Sequence, residues 1–218
     1  MPASEASASA ILDPARDFIT IRERMERAPQ IVQERLDRAV KALEKGGVQY
    51  ALVGGNAVGY WVGTVDEEAV RTTRDVDLMV ARAQWDDVCK AMNAEGFVHR
   101  HVKGVDMFLD PLGPKKAIAA VHVIFAGERV NENHEFPNPK LGNVTRFGEV
   151  QVLGLPELVK MKLASWRLKD RVHLEDMKGV GLLDGMAVES LPEVLRERFQ
   201  SIAMDSVEEA IREGKAEG

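Results

Sequence analysis

The chain has 218 residues, of which 45% are hydrophobic, which allows one large domain or one domain with a helical addition. Its net charge of −6 argues against bulk electrostatic binding to nucleic acid, although a local basic groove is compatible with that charge. The single cysteine, Cys89, excludes a disulfide framework within the chain and is typical of a reducing cytosol.

Nothing in the sequence indicates a membrane or an export signal. No apolar run approaches the ~20 residues that a membrane-spanning helix needs. The N-terminus lacks the basic-then-apolar order of a secretory signal. We therefore expect a soluble, cytoplasmic protein with no membrane partner.

The N-terminal region predicts a tail followed by helices. Residues 1–12 are small and polar and predict a flexible tail. Asp13, followed by a proline, is typical of a helix start. Pro29 is predicted to interrupt this helix, and a second helix is predicted over 30–45. Residues 13–47 therefore form the predicted N-terminal helices.

A strand, a glycine turn and a helix are predicted in the next stretch. Residues 50–53 indicate a strand, and a short helix is predicted over 56–62. Between them lie Gly54, Gly55 and Asn56. Glycine allows the backbone to approach a bulky anion, and the amides at a helix start favour a phosphate. These three residues are therefore candidate phosphate ligands.

Two acidic residues mark the start of a second predicted strand, over 75–80. Asp75 and Asp77 are two positions apart, so on a strand their side chains project from the same face. Paired carboxylates suit a divalent cation, most naturally magnesium, which prefers oxygen ligands. Arg74 lies directly beside this pair.

The remaining predicted elements alternate between helices and strands. They are a helix over 84–94, strands over 97–101 and 105–109, a core strand over 117–125, a helical segment from 155 and a last helix over 192–213. The polar stretch 127–148 is predicted to be a long loop, which in a compact domain is usually functional or flexible.

The helical segment that begins at residue 155 carries a possible polar stripe. At 100° per residue, five polar or aromatic residues fall near one line. They are Lys162, Trp166, Lys169, His173 and Asp176. The alternative is two helices broken near residues 169–170, which would destroy the stripe.

The ordered pair Gly54-Gly55-Asn56 and Asp75-Val76-Asp77 resembles the nucleotidyltransferase superfamily, whose fold is shared by DNA polymerase beta and the AbiEii-type toxins. The resemblance implies an α+β fold with a mixed central sheet flanked by helices, and it does not cover the first 45 or the last 25 residues. Together with the predicted elements, it places the core at 48–153, and helical additions are predicted at both termini, the C-terminal one over 154–218.

The resemblance also implies metal-dependent transfer of a nucleoside monophosphate from a nucleoside triphosphate. Asp75 and Asp77 would be catalytic and would hold Mg2+ or Mn2+. Family members normally place a third carboxylate on the next central strand, but the matching position here is His122. Asp106 and Glu128 are alternative third carboxylates.

Several readings of His122 remain open. The site could work with Asp75 and Asp77 alone, or His122 could act as a base or a metal ligand, which would suit zinc or manganese better than magnesium. The substitution could also mark lost chemistry. In the remaining reading, His122 is a buried histidine that is hydrogen-bonded inside the sheet.

The helical segment itself resembles a part of AbiEii-type proteins in which a lysine precedes Arg-Asp-x-x-Asp. This resemblance implies that Lys162 is catalytic and faces the nucleotide phosphates. It also implies that Asp170 and Asp176 orient basic groups around the nucleotide. The alternative is an exposed charged helix with weak i,i+4 pairs.

Three functions remain open. The first is a nucleotidyltransferase acting on a tRNA or other RNA, a protein or a small hydroxyl compound, in its concrete form a toxin with an antitoxin partner. The second is a catalytically weakened nucleotide-binding or partner-binding module on the same fold. The third is a structural or antitoxin-like interaction protein that uses its charged terminal helices.

Overall fold

The computed structural model describes residues 18–112, 120–130 and 134–202. Within these residues, seven strands form one mixed sheet in the order β3-β4-β5-β2-β1-β7-β6, with helices packed against it. The strands are β1 (Tyr50–Val53), β2 (Val76–Val80), β3 (Val98–Val102), β4 (Val105–Leu109), β5 (Ala120–Phe125), β6 (Val144–Phe147) and β7 (Val150–Leu153). The predicted α+β class with a mixed sheet flanked by helices is confirmed.

Six helical elements of the described residues accompany the sheet. They are α1 (Phe18–Lys45), α2 (Gly54–Val62), α3 (Trp85–Ala94), α4 (Leu155–Ser165), α5 (Leu168–Gly179) and α6 (193–202), with a single 3-10 turn at Arg82–Gln84. Helix α1 packs against α3, β2 and β5, whereas α2 packs against α4 and α5. None of the helices in the described ranges is both long and apolar enough to cross a membrane.

The central strands bring three chain segments to one edge of the sheet. Strand β1 pairs antiparallel with β2, and Val53 lies opposite Asp77. Strand β2 pairs parallel with β5, and Asp77 lies opposite His122. The last residue of β1 and early positions of β2 and β5 are therefore neighbours, and α2 begins at this edge.

The N-terminal helix is continuous, so the predicted break at Pro29 is wrong. Helix α1 runs for 28 residues with Pro29 inside it. A proline in a helix interior costs about 3 kcal/mol, because it removes one backbone hydrogen bond and crowds the preceding turn. After the proline, Leu36, Val40 and Leu43 are almost completely buried, and this burial outweighs a single local defect.

The predicted loop over 127–148 contains a strand. Strand β6 forms an antiparallel hairpin with β7, and Gly148 turns between them with φ +59°. The sequence hides β6 because two of its four residues are exposed and the other two are only partly buried, which weakens the apolar alternation that indicates a strand. The predicted strand over 117–125 is described from Ala120 onward, and the last predicted helix is described as far as residue 202.

The predicted polar stripe is broken. Helix α4 ends at Ser165, and Trp166 adopts the left-handed conformation with φ +50° before α5 begins. The break therefore lies earlier than the alternative position near 169–170. Lys162 is buried whereas Lys169 is exposed, so the two do not share a face. The predicted tail over 1–12 lies outside the described residues.

A buried ion pair fastens α1 to the end of β4. Asp110 is 5% exposed and accepts a hydrogen bond from Arg38 Nη1 at 2.6 Å. Arg35 is 2% exposed, and its Nε lies 3.5 Å from the second Asp110 oxygen, an ionic contact without hydrogen-bond geometry. Arg35 also donates to the backbone carbonyl of Arg74, which lies beside the acidic pair.

We expect Asp110→Ala to lower the free energy of unfolding by about 3–5 kcal/mol, because it leaves the Arg35 guanidinium buried without its counter-charge. The matched control is Glu26→Ala, which breaks the exposed Arg22–Glu26 pair and should cost under about 1 kcal/mol. Urea denaturation measures both changes. Equal losses in the two variants would contradict a structural role for the buried pair.

Candidate active site

The carboxylate of Asp77 lies directly against the backbone of Gly54, where β1 ends and α2 begins. A β-carbon built on Gly54 would be only 2.0 Å from Asp77 Oδ2. Gly54 also has φ +73°, a conformation that other residues rarely adopt. Glycine is therefore required here by both backbone conformation and space. Helix α2 begins at Gly54, slightly earlier than the predicted residue 56.

The first turn of α2 is linked to the segment that carries Asp75. Asn56 Nδ2 donates to the backbone carbonyl of Asp75 at 2.6 Å. Strand β2 starts at Val76, so Asp75 precedes the strand rather than beginning it as predicted. The Asp75 carbonyl is thus bonded to α2 directly before the strand begins. Asp75 Oδ1 is buried and has no hydrogen-bond partner among the described residues.

His122 is the neighbour of Asp77 across the β2–β5 pair. Its Nδ1 lies 3.3 Å from Asp77 Oδ1, and the two side chains are 22% and 20% exposed. The register places them opposite each other. The imidazole therefore contacts the acidic residue that approaches Gly54, at the position where the resemblance implies a third carboxylate.

The two alternative third carboxylates are wrong, because one lies on the other face of the sheet and one lies at the far end of β5. Asp106 is opposite Val123, one position along from His122, so its side chain projects from the other face of the sheet. Its carboxylate contacts His99 and His101 at 2.8 and 2.9 Å. Glu128 follows the far end of β5 and pairs with Arg82 at 2.6 Å.

A buried charged cluster lies near the end of the central strands that carries Asp75 and Asp77, which we name the acidic edge. Lys162 is 4% exposed, and its Nζ donates to Asp170 Oδ1 at 3.1 Å. Arg167 Nε donates to the other Asp170 oxygen at 2.7 Å. Burial would raise the pKa of Asp170, but the bonds from Arg167 and the charge of Lys162 outweigh it and lower that pKa to about 2. Asp170 is therefore ionised at neutral pH.

Burial also changes the pKa of Lys162 from that of an exposed lysine. Desolvation lowers the pKa of Lys162, and the negative charges of Asp170 and Asp77 oppose this shift. The charge of Asp77 thus favours the charged form of Lys162, after the larger effects of burial and of Asp170. Asp176 pairs separately, accepting a hydrogen bond from Arg71 Nε at 2.8 Å.

Gly55 passes between two side chains of other segments. The position of a β-carbon on Gly55 is 3.1 Å from Thr73 Oγ1 and 3.3 Å from His173 Cε1. Burial and the charge of Lys162 lower the pKa of His173 to about 4, so the ring is neutral at pH 7. His173 Nδ1 is buried and has no hydrogen-bond partner in the described part of the chain.

The structure therefore brings together only some of the predicted site residues. Asp77 contacts Gly54 and His122, and Asn56 holds the Asp75 segment. Lys162 and Asp170 form a buried pair, while Arg74 is exposed. Sequence reasoning missed Thr73 as a neighbour of Gly55. Its position two residues before Asp75 was the one available signal.

The acidic edge supplies few protein ligands for a cation. Among residues 18–112, 120–130 and 134–202, no group of three or more His, Cys, Asp or Glu side chains has the geometry to hold a metal ion. The unpartnered Asp75 Oδ1 and the partly exposed Asp77 carboxylate are nevertheless oxygen donors of the type that magnesium prefers. The donor set suits a cation that shares its remaining positions with a substrate or water.

Several solved structures have low similarity to the chain. The solution structure of the antibiotic-resistance factor ANT(2'')-Ia is 13% identical, covers 84% of this chain and 96% of that chain, and has a TM-score of 0.46. A crystal structure of ANT(2'')-Ia in complex with adenylyl-2''-tobramycin is 15% identical, covers 79% and 97%, and has a TM-score of 0.42.

JHP933 from Helicobacter pylori is 11% identical, covers 87% of this chain and 98% of that chain, and has a TM-score of 0.36. No protein-family model matches the sequence, and no curated protein matches it. At these identities and TM-scores, the likeness assigns neither a family nor an activity to the chain.

We expect Gly54→Ala to lower the free energy of unfolding by about 2 kcal/mol or more, because its methyl group would overlap Asp77 Oδ2 and φ +73° is strained for alanine. The control is Gly142→Ala, since a β-carbon there meets no atom within 4 Å. Urea denaturation compares the two. A Gly54→Ala protein as stable as the control would contradict the close approach.

The low pKa of His173 predicts acid sensitivity. His173 binds a proton near pH 6.5 in the unfolded chain and near pH 4 in the native protein. The contribution of its neutral ring to stability is therefore fully present above pH 6.5 and is lost as the pH falls towards 4. We expect wild type to lose up to about 1.4 kcal/mol per pH unit more than His173→Gln in this window. Denaturation curves at pH 7, 5.5 and 4.5 provide the comparison, and parallel losses would contradict it.

Proposed function

We propose that the protein is a metal-dependent nucleotidyltransferase that transfers a nucleoside monophosphate from a nucleoside triphosphate to a hydroxyl group. One observation carries the proposal. The Asp77 carboxylate meets the glycine backbone at the start of a helix, and Asp75 lies two residues away with an unpartnered oxygen. A cation ligand and an anion-binding backbone are thus adjacent.

The start of α2 supports binding of the triphosphate. The preceding residue, Val53, provides no side-chain cap for the helix. The first amides of a helix lack intrahelical partners, and the helix dipole favours an anion there. Arg74 is exposed beside the acidic pair, and the buried Lys162 adds positive charge behind it. In this proposal both basic residues balance the phosphate charge, and Asp170 holds Lys162 in place.

Asp75 and Asp77 are the proposed ligands of a divalent cation, with magnesium or manganese as the preferred ions. Magnesium is commonly held by one or two carboxylates together with substrate phosphates, which matches the small protein donor set. When bound, the cation neutralises charge that develops on the phosphates and activates the attacking hydroxyl. His122 contacts Asp77 and is the proposed neighbour that positions this carboxylate.

The proposed reaction is balanced without another reactant. The acceptor hydroxyl oxygen forms a bond to the α-phosphorus, and the bond from that phosphorus to the bridging oxygen of the β-phosphate breaks. Pyrophosphate leaves, and the hydroxyl proton passes to one of the two carboxylates and then to solvent. The products are a nucleotidylated acceptor and pyrophosphate.

The toxin role, the identity of the acceptor, the antitoxin partner and the location in the cell are predictions. An AbiEii-type toxin that modifies tRNA or another RNA, and an antitoxin partner, follow from the sequence resemblance alone. The same holds for a protein acceptor, whereas a cytoplasmic location is a prediction from the single cysteine and from the sequence's lack of a secretory or membrane signal. A small hydroxyl compound is the acceptor class for which the molecule offers a cavity.

The second candidate is a nucleotide-binding module without turnover. It is favoured by the 3.3 Å contact of His122 with Asp77, because an imidazole at that position brings no fixed negative charge for a second cation. Calorimetry with magnesium and a non-hydrolysable nucleoside triphosphate separates the candidates from a purely structural protein. Binding without transfer supports this module, and absence of binding contradicts both nucleotide-dependent functions.

We expect Asp77→Asn and Asp75→Asn each to reduce label transfer from α-labelled nucleoside triphosphates at least about 100-fold, equivalent to about 2.7 kcal/mol of transition-state stabilisation. The amide retains the shape of the side chain but removes the charge that holds a cation. Transfer onto components of a cell extract, with magnesium or manganese, is the measurement.

The matched control is Glu128→Gln, which removes an acidic charge at the far end of β5 and should leave transfer unchanged. Thermal unfolding of all three variants checks that they are folded. Full activity in Asp77→Asn, or equal losses in Glu128→Gln, would contradict the proposed site.

A further inference from the structure

A cavity of about 580 Å3 lies between α1, α2, the loop before β2 and the β6–β7 turn, and we name it the α1–α2 cavity. Its lining comprises Pro29, Val32, Gln33, Asn56, Gly59, Tyr60, Gly63, Thr64, Val70, Arg71, Thr72, Thr73, Phe147 and Gly148. This volume is within the range of pockets that hold drug-sized ligands. The nucleotide site proposed above does not account for most of it.

The cavity is continuous with the residues that position the acidic pair. Asn56 lines it and also donates to the Asp75 carbonyl. Thr73 lines it as well, and its hydroxyl faces Gly55. A ligand in the cavity therefore lies beside the Asp75 segment, where a hydroxyl acceptor is needed.

The chemistry of the lining restricts what can bind. Tyr60 and Phe147 form a tilted ring pair with centroids 5.7 Å apart, and Val32 and Val70 add aliphatic surface. The hydroxyl groups of the lining threonines, together with the amides of Gln33 and Asn56, provide the uncharged polar contacts. Such a surface suits an aromatic or alicyclic compound with a few hydroxyl groups.

The charges of the lining disfavour other acceptor classes. None of the described residues that line the cavity is acidic, so a polycationic compound would lose water there without a counter-charge from them. Arg71 is the one charged residue among the described residues of the lining, and it is paired with Asp176 at 2.8 Å. A strand of RNA needs several cationic side chains along its phosphates, which this described part of the lining does not offer.

We propose that the α1–α2 cavity binds the acceptor, and that the acceptor is a small uncharged organic compound with an aromatic or alicyclic body and a hydroxyl group. This inference rests on the proposed nucleotidyltransferase function. The cavity runs along α2 from Asn56, in the first turn, to Gly63, so most of it lies beyond the helix start where the phosphates are proposed to bind, and we assign it to a second molecule.

Filling the cavity tests the proposal. A β-carbon on Gly59 would meet Val70 Cγ1 at 3.5 Å, an ordinary contact, so Gly59→Leu places its larger side chain in the cavity while the backbone of α2 is retained. Val70→Trp fills the cavity from a loop and serves if Gly59→Leu does not fold. The matched control is Gly179→Leu at the end of α5, where a β-carbon meets nothing within 4 Å.

The measurement is transfer of label from α-labelled nucleoside triphosphates, with magnesium and manganese, onto a cell extract separated into small molecules, RNA and protein. We expect wild type and Gly179→Leu to label an uncharged compound in the small-molecule fraction. Gly59→Leu and Val70→Trp should lower this transfer at least tenfold. Calorimetry with a non-hydrolysable nucleoside triphosphate should give the same nucleotide affinity in all four proteins.

The outcomes separate the two levels of the proposal. Label on RNA, on protein or on a polycationic compound overturns the acceptor inference and leaves the proposed function standing. Unchanged transfer by both filled variants likewise overturns the acceptor inference and leaves the proposed function standing. Loss of nucleotide affinity in the filled variants shows that the cavity holds the nucleotide and also overturns the inference. No transfer to any fraction overturns the proposed function and the acceptor role together.

Discussion

The contact between the Asp77 carboxylate and the Gly54 backbone determines the arrangement of the candidate site. The antiparallel register of β1 and β2 places Val53 opposite Asp77, so the next residue of the chain must pass the carboxylate at a distance that allows no side chain. The start of α2 is fixed by this passage. Asn56, in the first turn of the same helix, then holds the backbone carbonyl of Asp75, so the strand pair positions Asp77 and the helix start positions the segment of Asp75.

Buried charges hold the helices that surround this edge. Asp170 receives hydrogen bonds from Lys162 and Arg167, and this compensates for its removal from water. Arg35 and Asp110 form a similar arrangement on the α1 side. In both places one carboxylate is shared by two cationic groups, so neither cluster carries an uncompensated negative charge. The neutral His173 completes the packing beside Gly55 without adding charge.

The elements around the glycine turn were predictable because their signals are local. A strand, two glycines and an acidic pair at a spacing of two are each visible within a few residues. Strand β6 was not predictable, since its half-exposed residues form a strand only through pairing with β7. The displaced break at Trp166 depends on a single left-handed residue that is neither glycine nor asparagine. The contact of His122 with Asp77 required the inter-strand register, which no single segment contains.

The parallel pairing of β1 with β7 has a consequence for how the chain acquires its structure during synthesis. Leu52 lies opposite Val152, so one side of β1 has no hydrogen-bonded neighbour until a much later part of the polypeptide has emerged from the ribosome. Trp61 likewise donates to the Leu153 carbonyl across the same long separation. Closing such a loop carries an entropic cost before any native contact forms. The β7 side of β1, and the hydrogen bond that ties α2 to β7 through Trp61, are therefore completed only after translation has passed β7.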